Sequence, residues 1–163
     1  MAEAVSPTVE PRLEYLMTLQ GELDPPQLVD EATRIVNVNG GWVKGPRISG
    51  KVIGPAGDWL RPLPSGGRRI DARLTVLTDD DQLIYTSYNG VIKHSEASAE
   101  KAARGEIVRP ADGVYFVAAP TYHTSSEKYA WINDIQAIAL MIEVQFSARR
   151  RYIKYDVFTV RCA

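Results

Sequence analysis

Residues 68–94 read RRIDARLTVLTDDDQLIYTSYNGVIKH. Ile70, Ala72, Leu74 and Val76 occupy every second position, with Asp71, Arg73 and Thr75 between them. A period of two sends alternate side chains to opposite faces, so 68–80 is expected as a half-buried strand. Asp79, Asp80, Asp81 and Gln82 make a polar turn into 83–94, where Ile84, Thr86 and Tyr88 keep the same rhythm. Two alternating runs joined by a short polar turn predict an antiparallel hairpin.

The same rhythm extends in both directions. LEYLMTLQGEL (13–23) places Leu13, Tyr15, Met17 and Leu19 on one face and stops at Asp24-Pro25-Pro26, since proline donates no ladder hydrogen bond. TRIVNVNGG (33–41) is expected as the next strand, ended by the turn signal Asn39-Gly40-Gly41. WVKGPRISGKVIG (42–54) is expected as a third, interrupted by glycines that suggest bulges or tight bends. PAGDWLRPLPSGG (55–67) has the proline and glycine content of a loop. Past the hairpin, HSEASAEKAARGE predicts one short helix with Ser95 as N-cap and Gly105 as stop. GVYFVAAP (113–120), IQAIALMIEVQF (135–146) and YIKYDVFTVR (152–161) are further strands, and SSEKYAWIND has room for one helical turn. The sum is a mostly β chain: a single antiparallel β-barrel of about eight to ten strands with one short helix, residues 1–11 forming a flexible lead and 12–163 the domain. Closure is favoured because it removes exposed strand edges.

Composition narrows the classes of function. The 163 residues carry a formal charge of −1, with 45% hydrophobic and 24% charged residues, which suits a packed globular chain and asks for no polyanionic partner. Arg68-Arg69 and Arg149-Arg150-Arg151 are short clusters expected at solvated turns. Cys162 is the only cysteine, so neither an internal disulfide nor a paired-cysteine metal site is expected. The N-terminus lacks the basic start and apolar core of a signal peptide, and no run approaches the about 18 apolar residues of a membrane span. A cytoplasmic protein with no membrane or nucleic-acid partner is therefore expected. The two histidines stand 29 residues apart, and no phosphate-binding glycine loop or serine-nucleophile signature occurs, so no metal or cofactor is expected.

The densest cluster of chemistry is AAPTYHTSSEKYAWIN (118–133), with Tyr122, His123, Glu127, Tyr129, Trp131 and Asn133. His123 is the leading acid–base candidate, because imidazole both takes and gives a proton near neutrality; the alternative is a surface or hydrogen-bonded structural histidine. Asp58 stands beside Trp59, a setting that perturbs a carboxyl group, unless it only makes a turn. Asp71 and Arg73 share a face and either line a cavity or form a charge ladder in solvent. Tyr88 and Tyr115 are candidates to hydrogen-bond a carbonyl or phenolate. Trp59 and Trp131 are candidates to stack on an aromatic ring, though such residues also serve as core plugs. Arg47 or Arg73 are candidates to hold an anionic group, and Asn133 either binds substrate or caps backbone at the corner. His94, between a strand and the helix, is expected to serve the helix start.

Taken together, LEYLMTLQGEL, IVNVNGGWVKGPRISGKV, the Gly57-Asp58-Trp59 triplet, RIDARLTVLTDDDQLIYTSYNG, GVYFVAAP and EKYAWIN resemble domain-of-unknown-function family 3237, small β-barrel proteins of bacteria and fungi, from about residue 12 to 160. The resemblance implies an antiparallel barrel with a central cavity. Some fungal relatives are associated with isomerisation or ring closure of phenolic compounds, similar in outcome to chalcone isomerase. Where the family usually has a glutamate after its Ala-Pro dipeptide, this chain aligns His123; where Asn or Tyr followed by Arg is usual, it has Tyr88-Asn89. The resemblance thus implies a cofactor-free isomerase, cyclase or lyase of secondary metabolism. It would use acid–base catalysis on a small, aromatic or polyketide-derived molecule, with His123, Asp58 and Tyr88 in the catalytic roles. A barrel that only binds its small-molecule ligand and a filled scaffold barrel remain open beside it, and a homodimer paired through an outer face is compatible with all three.

Overall fold

The computed structural model describes residues 5–162. Nine strands run in chain order: β1 (Pro11–Leu23), β2 (Gln27–Leu28), β3 (Arg34–Lys44), β4 (Ser49–Pro62), β5 (Arg68–Thr78), β6 (Leu83–His94), β7 (Val114–His123), β8 (Ala137–Phe146) and β9 (Arg151–Cys162). Helix α1 (Glu96–Ala103) lies between β6 and β7. Neighbouring strands are antiparallel in the order β1-β9-β8-β7-β6-β5-β4-β3, and a further β1–β3 pairing closes eight of them into a barrel. The two-residue β2 rides on the edge of β3. Of the expected lead, residues 1–4 lie outside the described residues, 5–10 carry no strand, and β1 opens at Pro11. Among the described residues, no helix is long and apolar enough to cross a membrane.

The hairpin of 68–94 forms in the expected phase. Ile70, Ala72, Leu74, Val76, Ile84, Thr86 and Tyr88 are buried inside the barrel, and β5 and β6 pair without a break from Arg68↔Ile92 to Leu77↔Leu83. Helix α1 begins as its cap foretold: the Ser98 N–H donates to Ser95 Oγ at 3.2 Å, and Gly105 follows at φ 72°.

Two expected loops are corrected. Asn39-Gly40-Gly41 is not a turn but the middle of β3; the chain reverses instead at residues 45–48. Here β3 bends across two partners. It pairs with β4 at both ends, Arg34–Asn37 and Trp42–Lys44, with a register shift between them, and its Val38–Lys44 stretch closes the barrel against β1. Gly41 permits this, sitting at φ 137° where any Cβ would press into the Gln20 carbonyl of β1. The Pro- and Gly-rich 55–67 is likewise mostly strand, since β4 continues to Pro62. Its irregular residues form a bulge, marked by a register shift between Ile53 and Gly57, and bring Asp58 onto the barrel wall.

Turns alternate between the two ends of an antiparallel barrel. The 45–48, 79–82 and 124–136 connections crowd one end; α1 and the 24–33, 63–67 and 147–150 connections form the other. Met17, Leu74, Val76, Ile84, Ile132, Met141 and Val157 fill the interior towards the first end, and Ile70 lies nearer α1. Towards α1 the wall loosens: β7 and β8 pair only at Val117↔Leu140 and Ala118↔Ala139, and Val108 bridges to Val144 instead.

Candidate functional site

Strand register decides which polar side chains enter the barrel. Val36, Asp58, Ala72, Tyr88 and Pro120 are paired across β3, β4, β5, β6 and β7, so they form one row on one face. Val36, Ala72 and Tyr88 are buried, which makes the row interior and points Asp58 inward. The small Ala72 between Asp58 and Tyr88 leaves space for both. Tyr88 meets Tyr155 of β9 edge to face, centroids 6.1 Å apart, and Tyr155 meets Phe116 at 5.6 Å. These rings surround Asp58 with apolar surface.

The electrostatics follow from that enclosure. Burial pushes the Asp58 carboxyl up to about 7, against one hydrogen bond from the Asp71 backbone N–H to Asp58 Oδ1 at 3.1 Å that favours the charged form; the Asp71 charge raises it slightly further. Burial also pushes the Tyr88 hydroxyl far above its usual value, with the Asp58 charge adding to the effect, and Tyr155 and Tyr122 are raised by the same cause. All three phenols are therefore proton donors at neutral pH, and Asp58 exists in both protonation states there.

One row nearer α1 lies a cavity of about 370 Å³, within the range of small-molecule sites. Leu60, Ile92, Phe116, Val108 and Val144 give it apolar walls, and the small Ala99, Ala102 and Ala103 of α1 cover it. Its polar lining is Arg34, Arg68, His94 and Glu106. Burial lowers Arg68 from its usual range, with the neighbouring Arg34 charge adding to it, and His94 is lowered by burial and then by Arg68. Ser98 Oγ gives its only hydrogen to the Ser95 carbonyl at 3.1 Å, so the contact from His94 Nδ1 at 3.0 Å must be a donation by the ring. In the neutral ring this leaves Nε2 as an acceptor.

Of the expected site residues, the barrel brings Asp58 and Tyr88 into one interior row. His123, the leading acid–base candidate, lies exposed on the outer face at the end of β7, opposite Tyr85, in the position of the surface histidine that was its alternative. Strand β7 buries Val114, Phe116, Ala118 and Tyr122, so the alternate residues Tyr115 (60% exposed) and His123 must point out. Asp71 and Arg73 also lie outside and pair with each other at 3.2 Å, the solvent ladder rather than the cavity. Trp59 is 43% exposed on the outer side of β4. Arg47 and Trp131 sit together at the end away from α1, the guanidinium 3.8 Å from the indole ring centre. Asn133 holds that corner: it accepts from the Thr124 N–H at 2.8 Å and donates to the Thr124 carbonyl at 2.9 Å.

Arg34, Arg68 and His94 are the cavity residues that the sequence reading placed elsewhere or passed over. A signal was present: Arg68 is in phase with Ile70 and Ala72, and Arg34 with Val36 and Val38. A cation in the apolar phase of a strand is costly unless it has an interior partner or a ligand.

A family model described as protein of unknown function DUF3237 matches residues 11–160. A curated UPF0311 protein of Clostridium acetobutylicum is 28% identical over 128 residues, covering 76% of this chain and 80% of the relative. Among solved structures, a conserved protein of unknown function from Rhodopseudomonas palustris superposes with a TM-score of 0.81 at 24% identity, covering 96% of this chain and all of that one. A protein described as an enzyme from Penicillium herquei superposes with a TM-score of 0.66 at 21% identity, covering 98% of this chain and all of that one. Both likenesses concern the fold.

Proposed function

The chain belongs to domain-of-unknown-function family 3237, whose description names no activity, and from the site itself we propose an enzyme that isomerises or ring-closes a small, aromatic or polyketide-derived molecule inside the barrel by proton transfer. The observation that carries this is Asp58: an interior carboxyl pushed up to about 7, beside the un-ionised Tyr88. A group with that value both accepts and donates a proton at neutral pH, which suits moving a proton from one atom of a substrate to another. In this reading Asp58 takes the proton from carbon or a phenolic oxygen. Tyr88 donates a hydrogen bond to the oxygen where negative charge develops. Asp58 then returns the proton at the new position, and no net oxidation or reduction occurs. The Penicillium herquei protein's description as an enzyme is compatible with chemistry in such a barrel.

The test is conversion of phenolic ketones, enones and small aryl lactones by wild type and by Asp58→Asn. The amide keeps the oxygen that accepts from the Asp71 N–H but cannot shuttle a proton. A loss of about 10²–10⁴-fold is expected; a fully active Asp58→Asn would sink the proposal. A second reading is a barrel that binds its ligand without converting it. It is favoured by one observation: Leu60, Ile92 and Phe116 line the cavity, whereas Asp58 lies a row beneath them. Tight binding with chemically unchanged ligand across the panel supports that reading.

A further inference from the structure

The barrel's α1 end holds two guanidinium groups that form no ion pair among the described residues. Arg34 enters from β3 opposite Leu60 of β4, and Arg68 enters from β5 opposite Pro62 of the same strand. Arg68 Nε reaches across to donate to the Ala32 carbonyl at 3.3 Å, two residues before Arg34. That bond occupies only the stem of the guanidinium and leaves its terminal N–H groups free to turn to the cavity. Arg34 Nε is buried with no hydrogen-bond partner among the described residues. None of the ion pairs among the described residues includes either arginine. The one carboxylate lining the cavity, Glu106, is held by Arg104 at 2.5 Å. Two like charges brought together in a partly apolar cavity, with donors unspent, define the shape of what is missing: an anion.

We propose that this cavity is a carboxylate site, in which Arg34 and Arg68 receive the carboxylate of a small organic acid whose apolar or aromatic body lies on Leu60, Ile92 and Phe116. It rests on the reading above for the location of the site, and it adds the chemical class of the molecule bound. The two planar guanidinium forks match the flat, two-oxygen geometry of a carboxylate. The remaining lining is mostly apolar, so one anionic group at the rim and a hydrocarbon or aryl body inside satisfy both halves of the cavity. His94, neutral with Nε2 as acceptor, suits a hydroxyl on that body and adds no third positive charge.

The experiment is calorimetric titration of the full chain with three probes of one shape class: 3-phenylpropanoate, its neutral amide 3-phenylpropanamide, and phenyl phosphate. Wild type is expected to bind the carboxylate at least about tenfold more tightly than the amide. Arg34→Gln and Arg68→Gln are each expected to lose that preference, while Arg73→Gln on the outer face keeps it. Equal affinity for carboxylate and amide, no binding of the carboxylate, tighter binding of phenyl phosphate, or full retention of the preference in the Arg34→Gln/Arg68→Gln double variant would each overturn the proposal. The carboxylate-to-amide comparison is made on wild type, so it decides the matter even where a variant does not fold. It is also separate from the role of Asp58. An Asp58→Asn protein with intact turnover removes the acid–base reading and leaves the anion site standing; an indifferent carboxylate-to-amide pair does the reverse.

Discussion

The two ends of the barrel handle polar groups in opposite ways. At the end away from α1, most polar groups find partners within the chain, the buried Thr86 Oγ1 being an exception. Asp80 accepts from Lys128 at 2.5 Å, Thr78 at 2.7 Å and Tyr129 at 2.8 Å, and these bonds hold its carboxyl well below the usual range. Ser49 donates to Asp79 at 2.6 Å, Thr124 Oγ1 donates to the Leu83 carbonyl at 2.7 Å, and Arg47 lies on Trp131. At the α1 end, Arg34 and Arg68 have no ion pair among the described residues, and beneath them Asp58 is held in a low-dielectric row with a carboxyl near neutrality. A network whose members satisfy one another is a device of stability. A set of interior groups left in tension with their surroundings is where a ligand has something to contribute. The proposed site rests on this contrast more than on any single motif.

The contrast can be broken most forcefully at the floor of the open end. Phe116→Ala removes the ring that packs on Tyr155 and is expected to cost about 3 kcal/mol in chemical denaturation, because the rings around it cannot collapse into the space. It also enlarges the cavity, so bulkier aryl acids should gain affinity relative to 3-phenylpropanoate. If the cost is negligible, Phe116 is not a packed floor.

Asp58 offers a smaller effect with a definite sign. Its folded-state value of about 7 lies above the unfolded value of 3.8. The stability it contributes by holding a proton is complete below about pH 4 and is lost as pH rises through 7, where the charge must be buried. Asp58→Asn does not titrate. The variant should match wild type near pH 4, pull ahead through pH 5–7, and be more stable by about 2 kcal/mol at pH 8.5, roughly half of the full linkage value because Asp58 is only partly buried. Melting curves across that range check it; a gap that does not change with pH would mean an ordinary carboxyl.

The smallest expected effect sharpens the comparison directly. Arg47→Gln at the closed end loses its stacking on Trp131 and should destabilise by about 0.5–1 kcal/mol. Arg68→Gln at the open end relieves repulsion with Arg34 and should leave the melting temperature unchanged or raised. Equal losses at both ends would mean that Arg68 is a structural residue like Arg47.

Much of the barrel was legible because strands announce themselves through period two and helices through their caps. The 68–94 hairpin, the α1 boundaries and the final hairpin all follow from those local rules. The misreadings share a cause. Asn39-Gly40-Gly41 and Pro55–Gly57 carry turn composition, but glycine and proline serve bulges as well as turns, and only the partner strands distinguish the two. In β7 both phases of VYFVAAPTYH are apolar or aromatic, so nothing local reveals that Tyr122 enters the barrel and His123 leaves it. Arg34 and Arg68 were passed over because a charged residue at a strand's start looks like part of the neighbouring turn.

Local patterning, which acts between neighbours in the chain, therefore settled most of the strands, the helix and the antiparallel class of the barrel. Asp58 and Tyr88 were legible as chemistry-bearing residues for their type and setting. Closure through β1 and β3 decided the rest. It chose the inner face of every strand, set Asp58 against Tyr88 across Ala72, and brought Arg34 and Arg68 to one rim. Those groups lie up to 54 residues apart along the chain, Asp58 and Tyr88 by 30 and Arg34 and Arg68 by 34, and burial is the main cause of Asp58's unusual carboxyl. A side chain's dielectric surroundings and its counter-charges are properties of the folded barrel, which no stretch of sequence contains by itself.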